Sequence, residues 1–229
     1  MKRLILCLAL SGAALLQWGC HQTDTPKDFD EGRIEYQITY DEATRRSRNT
    51  MMLPSALTID FKEENFRMRM EALSGAVAMS LIKDSEQAQY ITAIKIFGRK
   101  VKNTQPAVAG QHTPLYATVP PLIVETPPVP CQFMGYNCQR VRARYEGTDT
   151  PFDIIYTDEI CPLRTTADSP LEQIDGVMLQ FRLYLKPLTL CLTAKRVVET
   201  DVDEALFSLP ADYEEIVYAD MASVIEAML

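Results

Sequence analysis

Three kinds of side chain in this sequence could do chemistry: six cysteines, two histidines and several adjacent carboxylates. Cys20 has the clearest assignment. It closes "LLQWGC", at the end of an apolar run from Leu4 to Leu16 that follows the basic pair Lys2-Arg3. That core matches a secretory signal and falls short of the roughly 20 residues a membrane-spanning helix needs. A small residue followed by Cys is where bacterial lipoprotein signals are cut, so Cys20 is the expected lipidation site. Acyl chains contribute roughly 0.8 kcal/mol per buried methylene, and two or three of them hold a soluble domain firmly on a membrane. Gln17 and Trp18 depart from the apolar and small residues usual at those positions. The alternative is secretion to the periplasm with no lipid, after cleavage near Ala13-Ala14 or Gly19.

The remaining cysteines are Cys131, Cys138, Cys161 and Cys191, since Cys7 leaves with the signal. In an oxidising compartment four thiols suggest up to two disulfides, with three connectivities. Parity along the expected strands puts Cys138, Cys161 and Cys191 on outer positions and favours Cys138–Cys161 with Cys131–Cys191. A diagonal setting of the first pair exceeds disulfide reach unless a bulge intervenes, so free, buried thiols stay open. No CxxC spacing exists, and His21 and His112 are the only histidines, so no metal site is assigned. His112 lies in a proline-rich stretch, and His21 adjoins the lipidated residue. Asp158-Glu159 and Asp201-x-Asp203-Glu204 sit at strand ends and turns, where acids form turns and solubilise. No GxSxG, HExxH or phosphate-cradling Gly-rich loop occurs. The expectation is a non-enzymatic protein with no catalytic residue and no cofactor.

The elements carrying these residues read as strands. In "RIEYQITY", Ile34, Tyr36, Ile38 and Tyr40 alternate with Arg33, Glu35, Gln37 and Thr39, a period of two that means a half-buried strand. The same pattern recurs at Leu57, Ile59, Phe61; at Phe66, Met68, Met70; at Val77, Met79, Leu81; and in "QYITAIKIF". Later strands follow at Val141, Ala143, Tyr145, then Phe152, Ile154, Tyr156. Val177, Leu179, Phe181, Leu183 and Leu185 come next, and Leu188, Leu190, Leu192 and Ala194 follow the turn at Lys186-Pro187. Short connections make this an antiparallel meander with one apolar face and one wet face. Residues 20–32 read as the lipidated Cys and an acidic tether, after a 1–19 signal, and 33–229 as a single β-rich domain.

Seven of the fourteen prolines fall between Pro106 and Pro130. Proline donates no ladder hydrogen bond, so this stretch is extended chain at a sheet edge or end, with "LYATV" and "LIVE" apolar enough to cover something. Val217, Met221, Val224, Ile225 and Met228 share one helical stripe, so a C-terminal helix packs on the sheet.

Four landmarks occur together in order: "EGRIEYQITY", "MMLPSALTIDFKEENFRM", "GYNCQRVRARYEGTDTPFDIIYTDEI" and "DEALFSLPADYEEI". They resemble the GLPGLI-type group and its relatives, secreted or lipid-anchored β-rich proteins of Bacteroides-type bacteria, across roughly residues 32 to 216. "DGVMLQFRLYL" stands where that group carries its Gly-Leu-Pro-Gly signature. The resemblance implies a fold like the Lol-type lipoprotein carriers, a curved antiparallel sheet or half-barrel with helices against its concave side, and it carries over no catalytic residue. The fold class is therefore mainly β (α+β), with about 8–11 strands and a C-terminal helix.

An apolar concave face either fills with its own side chains or leaves room for acyl chains. The candidate ligand face is Ile34, Tyr36, Ile38, Phe66, Met68, Met70, Leu179, Phe181 and Leu183. Numerous methionines, including Met51, Met52, Met79, Met178, Met221 and Met228, add adaptable thioethers. The expected protein is an outer-membrane lipoprotein of the cell envelope, periplasm-facing or surface-exposed. Its partners would be the membrane, through the lipid, and a lipid or hydrophobic small molecule. The alternative is an assembly subunit that binds another envelope protein through a sheet edge or the proline-rich stretch. The formal charge of −8 becomes −10 once Lys2 and Arg3 are removed, which argues against nucleic acid.

Overall fold

The computed structural model describes residues 28–160 and 168–228. β1 (Glu31–Tyr40), β2 (Ala56–Lys62), β3 (Asn65–Ala72), β4 (Val77–Asp84), β5 (Gln89–Ile96) and β6 (Arg99–Pro106) form one meander, each antiparallel to the next. A second run comprises β7 (Leu122–Val124), β8 (Val129–Phe133), β9 (Tyr136–Tyr145), β10 (Phe152–Thr157), β11 (Val177–Leu185) and β12 (Leu188–Glu199). β12 returns to pair with β1, which joins the two runs into one open sheet. The two-residue β13 (Glu214–Glu215) lies parallel to β6 at one edge, while β7 and β8 both pair with β9 at the other. The thirteen strands among the described residues exceed the expected 8–11. The surplus is β7, β8 and β13, which are too short or too proline-rich to show a period of two.

The expected alternation sets the core. Ile34, Tyr36, Ile38, Phe66, Met70, Leu179, Phe181 and Leu183 are buried in one cluster and Met68 packs against it half-buried, so the nine candidate residues share the inner face. Curvature is fixed by two tyrosines. Tyr36 Oη donates to the Met178 carbonyl at 2.9 Å and Tyr145 Oη to the Arg182 carbonyl at 2.8 Å. Each reaches over one intervening strand, a span of roughly 9.6 Å in a flat sheet, so these bonds close only on the concave side. Gly32 marks a close approach, because a Cβ there would lie 2.4 Å from the Val198 carbonyl oxygen and 2.7 Å from the Phe29 ring.

Two α-helices complete the described residues. α1 (Glu42–Ser47) starts from Asp41, whose Oδ1 accepts from Thr44 N at 2.8 Å. α2 (Tyr218–Met228) buries Met221 and Ile225 against the sheet, whereas Val217 precedes the helix and stays exposed.

The wet outer face is not uniform. β4 and β5 each show a run of five buried residues. Ile82 and Ile91 point outward and pack with Val202 and Phe207, which belong to a segment that crosses the convex side. Arg67 reaches the same segment, donating from Nη1 to the Leu206 carbonyl at 3.2 Å.

Candidate functional site

The concave face is a large apolar concavity, and the chain itself plugs most of it. A one-turn 3-10 segment at Pro114–Tyr116, inside the proline-rich stretch, inserts Leu115 and Tyr116 between the two halves of the sheet. Burial in apolar surroundings raises the Tyr116 phenol above its ordinary range, and its Oη lies 3.9 Å from the Met68 sulfur. Leu171 and Ile174 add to the plug. It is tied at its margins: Gln173 Nε2 donates to the Leu122 carbonyl at 2.7 Å, and Tyr90 Oη to Asp168 Oδ2 at 3.1 Å. "LYATV" therefore covers the concavity.

Small apolar cavities remain on the face, two of them among the described residues on either side of Met70 and Met79. The deeper one, about 30 Å³, is lined by Tyr36, Met68, Met178 and Phe181 from the sheet and by Leu115 and Tyr116 from the plug. The other, about 40 Å³, lies toward the Tyr40 end of β1 and is lined by Tyr40, Leu53, Leu188 and Met228. Met70 and Met79, directly opposite each other on β3 and β4, line both and partition them. A cavity of about 150 Å³ is what it takes to hold a benzene, so neither admits a ligand as it stands. A bound chain would have to move the methionine partition or the plug. A third space, an open groove of about 470 Å³, continues outward from the second cavity, sharing Met52, Leu53, Val77 and Met228 with it.

The cysteines sort differently from the expected pairs. Cys131, Cys138 and Cys191 are free thiols. Cys191 sits half-buried beside Arg182 and Thr193 in a shallow depression. It lies on the fourth strand from β8, roughly 19 Å along the sheet, so the expected Cys131–Cys191 pair does not form. Cys138 is buried rather than outward. Alternation slips by one at Gln139 and Arg140, two successive residues outside the core between Cys138 and Val141. Its direct cross-strand partner is Cys131. Burial pushes the Cys138 thiol up to about 11, with the neighbouring Cys131 adding to the shift. Cys20 and Cys161, and with the latter the Cys138–Cys161 expectation, lie outside the described residues.

The remaining candidates have structural occupations. Glu159 accepts from Asn137 N at 2.8 Å and from Asn137 Nδ2 at 2.7 Å, closing the end of the β9–β10 pair. Asp203 caps the turn at Glu204–Phe207, accepting from Ala205 N at 2.9 Å. The His112 carbonyl accepts from Gln105 Nε2 at 3.3 Å. No group of three or more metal-ligating side chains occurs among the described residues. The groove and its continuity with the interior were not anticipated; the only advance signal was the methionine content. Compared with known proteins, the chain matches no family model and no curated protein.

Proposed function

We propose that this protein is a lipid-anchored component of a bacterial cell envelope, held by Cys20, that binds a hydrophobic ligand such as an acyl chain on its concave face. The observation that carries the reading is the line of three spaces running from an open groove to Tyr36, with Met70 and Met79 between the inner two and Met52, Leu53, Val77 and Met228 shared by the outer two. Thioether side chains have three rotatable bonds and adapt to irregular ligands. Phe29, already in the core, lies only nine residues past Cys20, so a lipid there would hold the domain close to its membrane.

Both sheet edges weigh against the assembly alternative. β8 carries Pro130 and follows Pro127-Pro128, and proline blunts a strand edge against pairing with another chain. At the far edge β13 lies over β6, and the Glu215 carboxylate takes the Thr104 N–H at 2.7 Å.

The test is native mass spectrometry of the domain from Asp24 onward, secreted without Cys20, followed by organic extraction. One bound lipid per chain is the expected result. An empty monomer that co-purifies with another envelope protein would replace this reading with the assembly role.

A further inference from the structure

Resting on the carrier reading, we infer that the groove beside Phe97 is the portal through which a single acyl chain bearing an anionic head enters the concave face, with Arg48 holding the head. Of the large apolar side chains left exposed, Met52, Leu73 and Phe97 gather on this one groove. Phe97 is 73% exposed and sits at φ +46°, and Leu73 sits at φ +51°. Both are bulky residues in the left-handed region, where Gly or Asn is the less strained choice. A surface meant only for water would gain from replacing them. Their retention on the lip is explained by something apolar that they meet there.

The interior selects the chemistry of that occupant. From the lip the space narrows to the cavity bounded by Tyr40 and Met228, then past Met70 and Met79 to the cavity beside Tyr36. A peptide pushed into this line would strand its backbone donors and acceptors in apolar surroundings. A methylene chain has none to strand and is thin enough to follow a path opened by methionine rotation. The lip itself is polar at one place only, where Arg48 and Asn49 stand at the end of α1. Arg48 is the sole charged residue on the groove wall, is exposed, and forms no ion pair among the described residues. A guanidinium fork fits a carboxylate or a phosphate and repels a quaternary ammonium. In a chain of net charge −8, a cation that forms no ion pair among the described residues, at the mouth of an apolar channel, favours an anionic head over a neutral or cationic one.

The experiment uses the full chain with Cys20→Ala, so that no acyl chain of its own competes. Hexadecanoate, hexadecyl phosphate, hexadecanol and hexadecyltrimethylammonium are titrated by calorimetry below their aggregation concentrations. Hexadecanoate or hexadecyl phosphate should bind one per chain and about ten-fold tighter than hexadecanol, with the cationic chain weakest. Whichever anion binds tighter identifies the head as a carboxylate or a phosphate. Arg48→Gln should erase the head preference and leave hexadecanol binding unchanged. Ala227→Trp, at an exposed position on the groove wall, should weaken every chain. Equal affinity for all four heads, or no effect of Arg48→Gln, overturns the assignment of the head site while the carrier reading stands. Normal binding by Ala227→Trp overturns the portal. If no chain binds, the carrier reading fails and this inference fails with it.

Discussion

Met79→Ala isolates what the methionine partition does. Met79 is 4% exposed, faces Met70 across the β3–β4 ladder, and lines both inner cavities. Truncation removes its thioether tail, and Met→Ala in a core costs about 2–5 kcal/mol. Because Met68 and Met70 can swing part-way into the gap, the loss should fall near the lower end, about 2–3 kcal/mol. For a chain of this size that lowers the thermal midpoint by roughly 4–12 °C. The cavities of about 30 and 40 Å³ would merge with the vacated volume into a space on the order of the ~150 Å³ that holds benzene. Urea denaturation with and without saturating benzene reads both effects. The variant should be destabilised and then partly restored by benzene, while the native chain ignores it. A loss under about 1 kcal/mol with no response to benzene would refute the partition and leave the concave interior a plain core.

Three further outcomes follow from local geometry. Asp60 is buried and held by the half-exposed Arg33 guanidinium, so Arg33→Met should cost about 1–3 kcal/mol in urea denaturation; pairing it with Asp60→Asn should recover most of that, and failure to recover would remove the pair from the stability account. Cys138 should resist iodoacetamide in the folded protein at pH 8. Its folded-state value is raised from 9.0 to about 11, so the stability it contributes is complete below about pH 9 and is lost as pH rises toward 11, which alkaline denaturation followed against Cys138→Ala would show. Gly176→Ala should cost about 1–3 kcal/mol, because its φ of +152° disfavours a side chain and the new Cβ would lie 2.7 Å from the Thr157 carbonyl oxygen; an unchanged midpoint in differential scanning calorimetry would mean that the β10–β11 connection yields freely.

The inner face was legible because alternation is local: Ile34, Tyr36 and Ile38, or Leu179, Phe181 and Leu183, announce their side of the sheet without reference to anything distant. What the pattern concealed depends on distant chain. Ile82 and Ile91 look like noise on a polar face until Val202 and Phe207, over a hundred residues later, cover them. The burial of Cys138 was lost to a one-residue slip, which reverses every parity inference beyond it. Leu115 and Tyr116 were read as cover of some kind, but their seat between the sheet halves depends on the curvature that Tyr36 and Tyr145 impose through carbonyls on β11. The groove was invisible for the same reason, since its walls come from chain segments around residues 48–53, 73–77, 96–97 and 224–228.

The direction of β1 gives the molecule two poles. Its first residues stand beside Phe29 and the chain that leads back to Cys20, and its last residue, Tyr40, lines the cavity behind the groove. Nine residue steps separate these ends by roughly 30 Å, about what the fully extended chain from Cys20 to Asp28 spans, roughly 29 Å at most. If Cys20 carries the proposed lipid, the pole beside Phe29 would be the one nearer the membrane and the groove would lie at the pole farther from it. To serve the bilayer that would hold it, the body would have to tip over. A facing membrane or a neighbouring protein would then meet the groove first, so a lipid on Cys20 would set which side of the gap the protein attends to.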